Sequence, residues 1–574
     1  MVATITRSHA QRGSLQEARD VQGSTNVGSS RHPASRDTGA SLHGEGGRMP
    51  GATNRYGLPR VGASQVGPNS FGQRENKFAP TAFRQPLAAN RGMDIEARAE
   101  SPATDWSAGL APMRFPDCQA NHRLWDDEHA VRIAFDAIVP ALKEIAALQH
   151  EHNFVPRAQQ IAQQQMGFPL PEALLQNAWV ETLDMRDLYA YAVCQTYQRL
   201  REREAHEVEN VEDAQRFFLE CGFHSVDVSP CADGRLKGLV KYILRLPARA
   251  VHREAYAGAL FDIEESVRRW ADIELRRHRE GVPSLPDAPT QYLKIAVYHW
   301  SGSDSQQGCA AHGSDARAAA QGALDRLNEF RQAIENSYCC GASVTTLLIG
   351  VDTDNDAIKI HVPDGKDEIS VYRYVDSQTV YQQVMQGTTP RAAVIAAVEQ
   401  ALAVQGWGKA EGRAADGMLR FIASLLENNL KQQDYVDKYY QGRYPDIGHQ
   451  ERFISVGNGN EDVQLRNLAY YAHMDTLEEG AADLDVGVKI FKKLNAAHGL
   501  PTPIILQISY NRAVPNARAR ARCRALRLGD AIRQRYGDLA QARLLSVFTS
   551  LQDKDTGAIE FVAAHEELVM RNKA

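Results

Sequence analysis

Short apolar stretches separated by long amphipathic ones constrain the fold of this chain more than any other feature of its sequence. Residues 292–300 alternate apolar and polar side chains, and residues 344–351 form an apolar run of the kind found in strands buried on both faces. Amphipathic helical stretches occupy 260–278 and 316–337. Strands that alternate with helices predict an α/β fold with a largely parallel sheet. In such sheets, reactive side chains gather beyond the carboxyl ends of the strands.

The segments on either side of this region predict two further parts of the fold. Before it, apolar residues recur at helical spacing between Val131 and Ile145, so we expect a small helical domain over 113–210. After it, residues 503–511 predict one more buried strand within a largely helical stretch.

The end of the chain resembles its middle. Tyr510 and Asn511 close the last predicted strand where Tyr298 and His299 close an earlier one. We therefore interpret 451–574 as a degenerate second copy of the α/β unit that has lost its functional side chains.

The amino-terminal segment differs in composition from the rest of the chain. Residues 1–112 are rich in Gly, Ser, Arg, Asn and Gln and show no helical or strand period, which predicts disorder. The first 100 residues have a net charge of +5, whereas the remainder has −11. Two islands, 54–60 and 71–87, combine arginines with isolated aromatic residues, which suits docking on an acidic protein surface. Nucleic acid is a less favoured partner, because no block of consecutive basic residues is present.

Composition argues against two other classes of protein. No apolar run is long enough to cross a bilayer, and the first residues lack the apolar segment of a secretory signal, so we expect no membrane association and no secretion. Eight cysteines among 574 residues do not make a disulfide scaffold. We expect mostly reduced thiols in a cytoplasmic protein.

Three residues near the ends of predicted strands form a candidate metal site. Cys231 follows the short strand predicted at its amino-terminal side, His299 ends the next, and Cys309 lies in the loop that follows. Two thiolates and one imidazole favour zinc over magnesium or calcium, and three protein ligands leave a fourth position open to solvent. His312 or His224 could supply a fourth ligand, which would make the site structural rather than catalytic.

Asp233 and Arg235 follow Cys231 at every second position. A carboxylate two residues from a metal ligand can accept a hydrogen bond from solvent on the metal and orient it. An arginine two residues further on can hold that carboxylate ionised by a bidentate contact. The spacing therefore suggests a ligand, an orienting group and a clamp.

Other interpretations of Cys231 are less favoured. Cysteine phosphatases also place an arginine after a nucleophilic thiol, but on a longer loop, whereas three residues separate Cys231 from Arg235. Asp233 would in addition repel a phosphate there. A disulfide between Cys231 and Cys309 is disfavoured in a reducing compartment.

A run of acidic residues after the second buried strand invites a calcium interpretation. The carboxylates are those of Asp352, Asp354 and Asp356. Where a calcium-binding loop requires a glycine and a glutamate, the chain has Ala357 and Pro363. We interpret the segment as a polar turn at the end of the strand.

The pattern Cys-x-Asp-x-Arg formed by Cys231, Asp233 and Arg235, with a later histidine and cysteine, resembles that of the β-class carbonic anhydrases. The helical region before it, the nine residues between His299 and Cys309, and the ligand-free last part resemble one branch of that family, the carboxysome shell carbonic anhydrases. Ordinary β-class enzymes have a shorter gap between these two ligands, and the shell branch shares the longer one.

The resemblance implies a cofactor, a reaction and partners. It implies a zinc ion in each subunit, held by Cys231, His299 and Cys309, with Asp233 and Arg235 as the orienting pair. The implied reaction is the reversible hydration of carbon dioxide to bicarbonate inside the carboxysome, where carbon dioxide feeds Rubisco. It further implies a homodimer or larger assembly and an amino-terminal arm that binds Rubisco or the shell, with no role for nucleic acid or membrane.

With this resemblance, the chain is expected to have four parts. They are a disordered basic arm at 1–112, a helical domain at 113–210, a catalytic zinc domain at 211–450 and a degenerate carbonic-anhydrase-like domain at 451–574. The alternatives are a non-catalytic carboxysome scaffold with a structural zinc and, less favoured, a cysteine-dependent phosphatase.

Overall fold

The computed structural model describes most of the chain from residue 119 onward. The described residues are 119–176, 182–204, 211–285, 288–337, 343–363, 368–384, 391–405, 413–445, 450–457, 466–474, 476–554 and 556–562. All of them belong to one compact unit, Gly51–Ala574. The arm predicted over 1–112 lies outside the described residues and stays a prediction. None of the helices that the structure describes combines the length and apolar character needed to cross a membrane.

The described residues of the region predicted to be helical, 119–176 and 182–204, are mainly helical. Its helices are α1 Gln119–Asp136, α2 Ile138–Ala147, α3 Phe154–Ile161, α4 Glu172–Gln176 and α5 Met185–Glu204. The apolar residues at helical spacing form their core, since Ile138, Leu142 and Ile145 are at most 1% exposed.

The first sheet is mixed but mainly parallel, with the strand order β2-β1-β3-β4-β5-β6. Its strands are β1 Ser225–Pro230, β2 His252–Arg253, β3 Gln291–Trp300, β4 Ser343–Asp352, β5 Ile358–Pro363 and β6 Ile369–Asp376. The first four strands are parallel, whereas β5 and β6 add as antiparallel strands at one edge. β3 and β4 match their predicted bounds to within one residue at each end.

Helices surround this sheet. They are α6 Val211–Glu220, α7 Ile263–Arg279, α8 Ala316–Ser337, α9 Ser377–Val384, α10 Arg391–Val404 and α11 Arg413–Tyr440. α8 has its predicted bounds. α7 begins later than predicted because Asp262 caps it, accepting a hydrogen bond from the N–H of Glu265 at 2.7 Å. α11 contributes Phe421 to the core of the first sheet and Tyr435 to the core of the helical region, so it joins the two.

The second sheet repeats the topology of the first. Its strands are β7 Phe453–Val456, β8 Ala469–Ala472, β9 Thr502–Tyr510, β10 Leu545–Asp553 and β11 Ile559–Phe561, and its helices are α12 Leu477–Leu494, α13 Ala517–Arg535 and α14 Gly537–Gln541. The order β8-β7-β9-β10-β11 has the strand directions of β2-β1-β3-β4-β5, parallel except for the last pair. The predicted mixed α/β fold with a second copy of the unit is confirmed.

The hydrogen bonds of the two copies fix which residues correspond. After β4, the N–H of Thr353 donates to the carbonyl of Trp300 at 2.9 Å, and after β10 the N–H of Lys554 donates to the carbonyl of Tyr510 at 2.9 Å. Tyr510 therefore corresponds to Trp300, and the residue before it, Ser509, takes the place of the predicted ligand in the first copy.

The sequence-based alignment of the two strand ends was wrong by two residues. It aligned Asn511 with His299, whereas the backbone hydrogen bonds align Ser509 with His299. The hydroxyl of Ser509 replaces one of the three metal-ligating side chains in the second copy. The residue that would correspond to Cys231 lies outside the described residues.

Candidate active site

The three predicted metal ligands converge at the carboxyl ends of β1 and β3. Cys231 directly follows β1, His299 lies near the end of β3, and Cys309 lies in the loop after it. The Sγ atoms of the cysteines, 78 positions apart in the chain, are 3.8 Å apart. One ligand atom from each residue lies within 4.8 Å of the other two. The three side chains are 5%, 1% and 0% exposed, so the cluster is buried.

The backbone around both cysteines fixes their positions. The N–H of Cys231 donates to the carbonyl of Val297 at 2.9 Å, which extends the parallel ladder between β1 and β3 by one residue. The carbonyl of Cys309 accepts a hydrogen bond from the N–H of Ser314 at 2.9 Å. The loop tolerates only glycine at 308, because a Cβ on Gly308 would lie 2.5 Å from the carbonyl oxygen of Ser314. The loop therefore folds back tightly at the residue that supplies the second sulfur.

The imidazole of His299 has no hydrogen-bond partner for either ring nitrogen among the described residues, although the residue is 1% exposed. Burying these nitrogens without partners costs free energy, which coordination of a metal ion through one of them offsets. Two thiols and one imidazole form a donor set that suits a soft to borderline cation. The residues present therefore fit a metal ion of the zinc type.

The two thiols affect each other's ionisation. Cys231 and Cys309 are both free, so they form no disulfide. Their hydrogen bond, together with burial, raises the pKa of the Cys231 thiol well above its usual value. The same hydrogen bond lowers the pKa of the Cys309 thiol. The hydrogen bond therefore favours the ionised form of Cys309, and a bound cation would favour loss of the proton from Cys231 as well.

Asp233 and Arg235 form the bidentate pair expected from their spacing. Nε of Arg235 donates to Oδ1 of Asp233 at 2.9 Å, and Nη2 donates to Oδ2 at 2.8 Å. Burial lowers the pKa of the guanidinium, but the charge and hydrogen bonds of Asp233 more than offset this and raise it. Oδ2 of Asp233 also lies 3.6 Å from Nε2 of His299, so the pair borders the cluster.

Two further groups hold Arg235, and sequence reasoning missed both. Its Nη1 donates to Oγ1 of Thr353 at 3.1 Å, and its Nη2 donates to the carbonyl of Gln307 at 2.8 Å. The hydroxyl of Thr353 in turn donates to the carbonyl of Trp300 at 2.9 Å. A signal for Thr353 was present, since it directly follows β4, and the carboxyl ends of neighbouring parallel strands meet at one edge of a sheet.

In the acidic turn that contains Thr353, the carboxylates of Asp352 and Asp354 accept hydrogen bonds from backbone N–H groups of the protein. Asp352 accepts a hydrogen bond from the N–H of Gly302 at 3.1 Å, and Asp354 accepts one from the N–H of Ser303 at 2.8 Å. These carboxylates therefore tie the turn after β4 to the loop after β3. This agrees with the interpretation of the segment as a polar turn and places that turn beside the cluster.

Neither histidine considered as a fourth ligand belongs to the cluster. His312 lies with Nε2 3.4 Å from the carbonyl of Gly258. His224 accepts a hydrogen bond from the N–H of Gln291 at 2.9 Å, at the opposite end of β3. In the part of the chain that the structure describes, the metal-ligating group consists of one histidine and two cysteines.

A doubled, mainly parallel α/β unit with a buried Cys-His-Cys cluster and an adjoining Asp-Arg pair in one copy is the architecture of a β-carbonic-anhydrase-like protein. Comparison with known proteins identifies one family within this class. Models of the carboxysome shell carbonic anhydrase family match the chain over its amino-terminal, catalytic and carboxy-terminal domains, at residues 114–205, 213–449 and 450–566.

Individual relatives are similar in sequence to this protein along most of the chain. The carboxysome shell carbonic anhydrase of Halothiobacillus neapolitanus is 47% identical over 514 residues, which cover 86% of this chain and 100% of that protein. That of Prochlorococcus marinus strain MIT 9313 is 44% identical, and the match covers 85% of this chain and 95% of that protein. That of Parasynechococcus marenigrum is 45% identical, and the match covers 86% of this chain and 85% of that protein. The chain belongs to the carboxysome shell carbonic anhydrase family.

We predict that Thr353→Val lowers kcat for carbon dioxide hydration about 10-fold, as expected for loss of an outer contact that orients a site residue. The substitution removes the hydroxyl that accepts from Arg235 while keeping side-chain volume. Stopped-flow hydration assays on protein of equal metal content make the measurement.

The matched control for this prediction is Thr549→Val in the second copy. Thr549 is fully buried, and its hydroxyl has no hydrogen-bond partner among the described residues, so this change should leave kcat unaltered. Equal rates for both variants would contradict the role assigned to the Thr353 hydroxyl.

Proposed function

We propose that a zinc ion held by Cys231, His299 and Cys309 is the cofactor of this carboxysome carbonic anhydrase, which interconverts carbon dioxide and bicarbonate. The observation that carries the proposal is a buried pair of sulfurs 3.8 Å apart beside an imidazole whose ring nitrogens have no hydrogen-bond partner among the described residues. With three protein ligands among the described residues, a fourth coordination position would stay open to solvent, as a catalytic zinc site requires.

The chemistry of the metal and the work of the protein can be separated. When bound, zinc would lower the pKa of solvent at its open position, as is known for carbonic anhydrases with histidine ligands. Asp233 does the orienting. Its Oδ2 lies 3.6 Å from Nε2 of His299, close enough to the cluster to accept a hydrogen bond from solvent there. Accepting that bond turns a lone pair of the solvent oxygen toward the carbon of the substrate.

Arg235 keeps Asp233 in this role. Its bidentate contact engages both oxygens of the carboxylate and stops it from rotating onto the cluster as a further ligand. The contacts to Thr353 and Gln307 fix the guanidinium from the other side. The side chains of Asp233 and Arg235 are both only 14% exposed, and these contacts orient the carboxylate before the substrate enters, so little reorganisation accompanies the reaction.

We further propose that the carbon dioxide formed supplies Rubisco and that the arm at 1–112 docks the enzyme on Rubisco or on the shell. The net charge of +5 over the first 100 residues, against −11 for the rest, supports docking of this basic arm on an acidic surface of the partner. The likeness to the family also supports a homodimer or larger assembly and a division of the chain at 113–210, 211–450 and 451–574.

We predict that Cys231→Ala abolishes both zinc binding and carbon dioxide hydration, since it removes one of three ligands. Elemental analysis of the purified protein and a stopped-flow assay measure the two effects. Cys221→Ala is the matched control, because Cys221 is also buried and free but lies outside the cluster. Stoichiometric zinc in the Cys231 variant would contradict the assignment.

We predict that Asp233→Asn leaves zinc bound and lowers kcat about 10- to 100-fold, the usual effect of losing an orienting group next to a metal ligand. Metal content and kcat are measured on the same sample. Loss of zinc in this variant would show that Asp233 holds the site together rather than orienting solvent.

We predict that hydration activity rises toward alkaline pH. Two thiolates donate more charge than two neutral imidazoles, so a bound zinc ion would acidify solvent less than it does with histidine ligands, and the pKa of that solvent would be higher. Activity would then increase as pH rises through that pKa. A hydration rate that is constant from mildly acidic to alkaline pH is the opposing result.

A further inference from the structure

The second copy of the α/β unit, although it has lost its ligands, contacts the loop that carries Asp233 and Arg235. The N–H of Asn467 donates to the carbonyl of Gly234 at 2.8 Å. The carboxylate of Glu451 packs so closely on the same residue that a Cβ on Gly234 would lie 2.6 Å from its Oε1. The backbone between the two members of the orienting pair is therefore held from the second copy.

Arg466, also from the second copy, contacts two loops of the first. Its Nη1 donates to Oδ1 of Asp356 at 3.0 Å and lies 3.5 Å from the carbonyl oxygen of Arg235. Its Nη2 donates to the carbonyl of Thr353. Cζ of Arg466 also lies over the ring of Tyr444, 3.9 Å from the ring centroid, and the arginine side chain is 8% exposed. One buried cation thus touches both the loop of the orienting pair and the turn that contacts Arg235.

The carboxylate of Asp356, which binds Arg466 through Oδ1, also accepts hydrogen bonds on its other oxygen, Oδ2. Oδ2 of Asp356 accepts hydrogen bonds from the hydroxyl of Tyr444 at 2.7 Å and from Nε2 of Gln432 at 3.0 Å. Both oxygens of a carboxylate that is 4% exposed are therefore satisfied, which makes its position well defined.

The backbone at Asp356 gives an independent sign that this side chain is needed. Its φ is 61°, in the left-handed region. The corresponding residue of the second copy is Gly557, with φ 72°, since each donates its N–H to an aspartate carbonyl, that of Asp352 or of Asp553, at 2.8 Å. A residue with a Cβ costs about 1 kcal/mol more than glycine in this region. The first copy bears that cost at the position that binds Arg466.

We propose that Arg466 is a positioning residue for the carbonic anhydrase reaction. Through Asp356 and the carbonyl of Thr353, it fixes the two loops that hold the Asp233–Arg235 pair against the cluster. The inference rests on the orienting role proposed for that pair. It assigns the ligand-free copy a part in the active site of the other copy.

The test uses the full-length, zinc-loaded protein and begins with Asp356→Gly. Glycine is relaxed at this φ, so the turn keeps its backbone while Arg466 loses its anchor. We expect unchanged zinc content, unchanged KM for carbon dioxide and a kcat that is about 10- to 100-fold lower, because small displacements of an orienting group cost that much. Asp356→Asn tolerates the same φ and keeps an acceptor for Arg466, so it should retain most of the activity.

A double-mutant cycle separates positioning from general destabilisation. If Arg466 and Asp356 act through the orienting carboxylate, Asp356→Gly should have little further effect on kcat in the Asp233→Asn background. A merely structural ion pair would lower activity by the same factor in both backgrounds. Arg535→Met is the matched control, since it removes another arginine–aspartate pair of the second copy, with Asp485 at 2.6 Å, and should leave kcat unchanged.

The outcomes distinguish this inference from the proposal on which it rests. Wild-type kcat in Asp356→Gly, or additive effects in the cycle, would overturn the positioning role while zinc binding and the effect of Asp233→Asn persist. If Asp233→Asn itself has no effect, the orienting role fails, and the inference fails with it. Should Asp356→Gly not fold, Arg466→Lys makes the same test, because lysine keeps the charge but cannot reach both loops. Wild-type kcat in that variant would again overturn it.

Discussion

The parallel pairing of β1 with β3 is the constraint on which the rest of the site depends. It carries Cys231 to the end of β3, so that a sulfur from one strand and the imidazole of His299 from the next meet inside the protein. The loop after β3 then has only to fold back for Cys309 to complete the set. This backbone ladder is formed by main-chain groups, so the side chains at its end are free to be selected for chemistry.

Duplication of the unit has given the two copies different roles. The second copy keeps the strand order and the turn after its fourth strand, but has Ser509 where the first has His299. What it has kept are contacts with its neighbour: the N–H of Asn467 and the guanidinium of Arg466 both reach the loops beside the cluster. The second copy thus contacts the loops beside a metal-ligating cluster that it does not itself contain.

The sequence was sufficient for the long buried strands β3, β4 and β9 and for the cluster, and insufficient for most of the shorter strands and for the contacts around the cluster. Apolar runs predicted β3, β4 and β9 to within one residue at each end, because burial dictates composition there. The spacing after Cys231 predicted the bidentate pair, since its members are local in the chain. Arg466 escaped prediction because it reaches the loop of Arg235 only through tertiary packing, whereas Thr353 was missed although its place directly after β4 was a usable signal. The pairing of Asn511 with His299 was wrong because periodicity reports a strand and not its register.

Zinc K-edge X-ray absorption of the purified full-length protein tests the central claim most directly. The account predicts two sulfur ligands at about 2.3 Å, one imidazole nitrogen and one further light atom from solvent, a set with an open catalytic position. A first shell without sulfur, or one in which a second imidazole replaces the solvent atom, would contradict it. Either result would mean that the two thiols and His299 do not together form the catalytic centre.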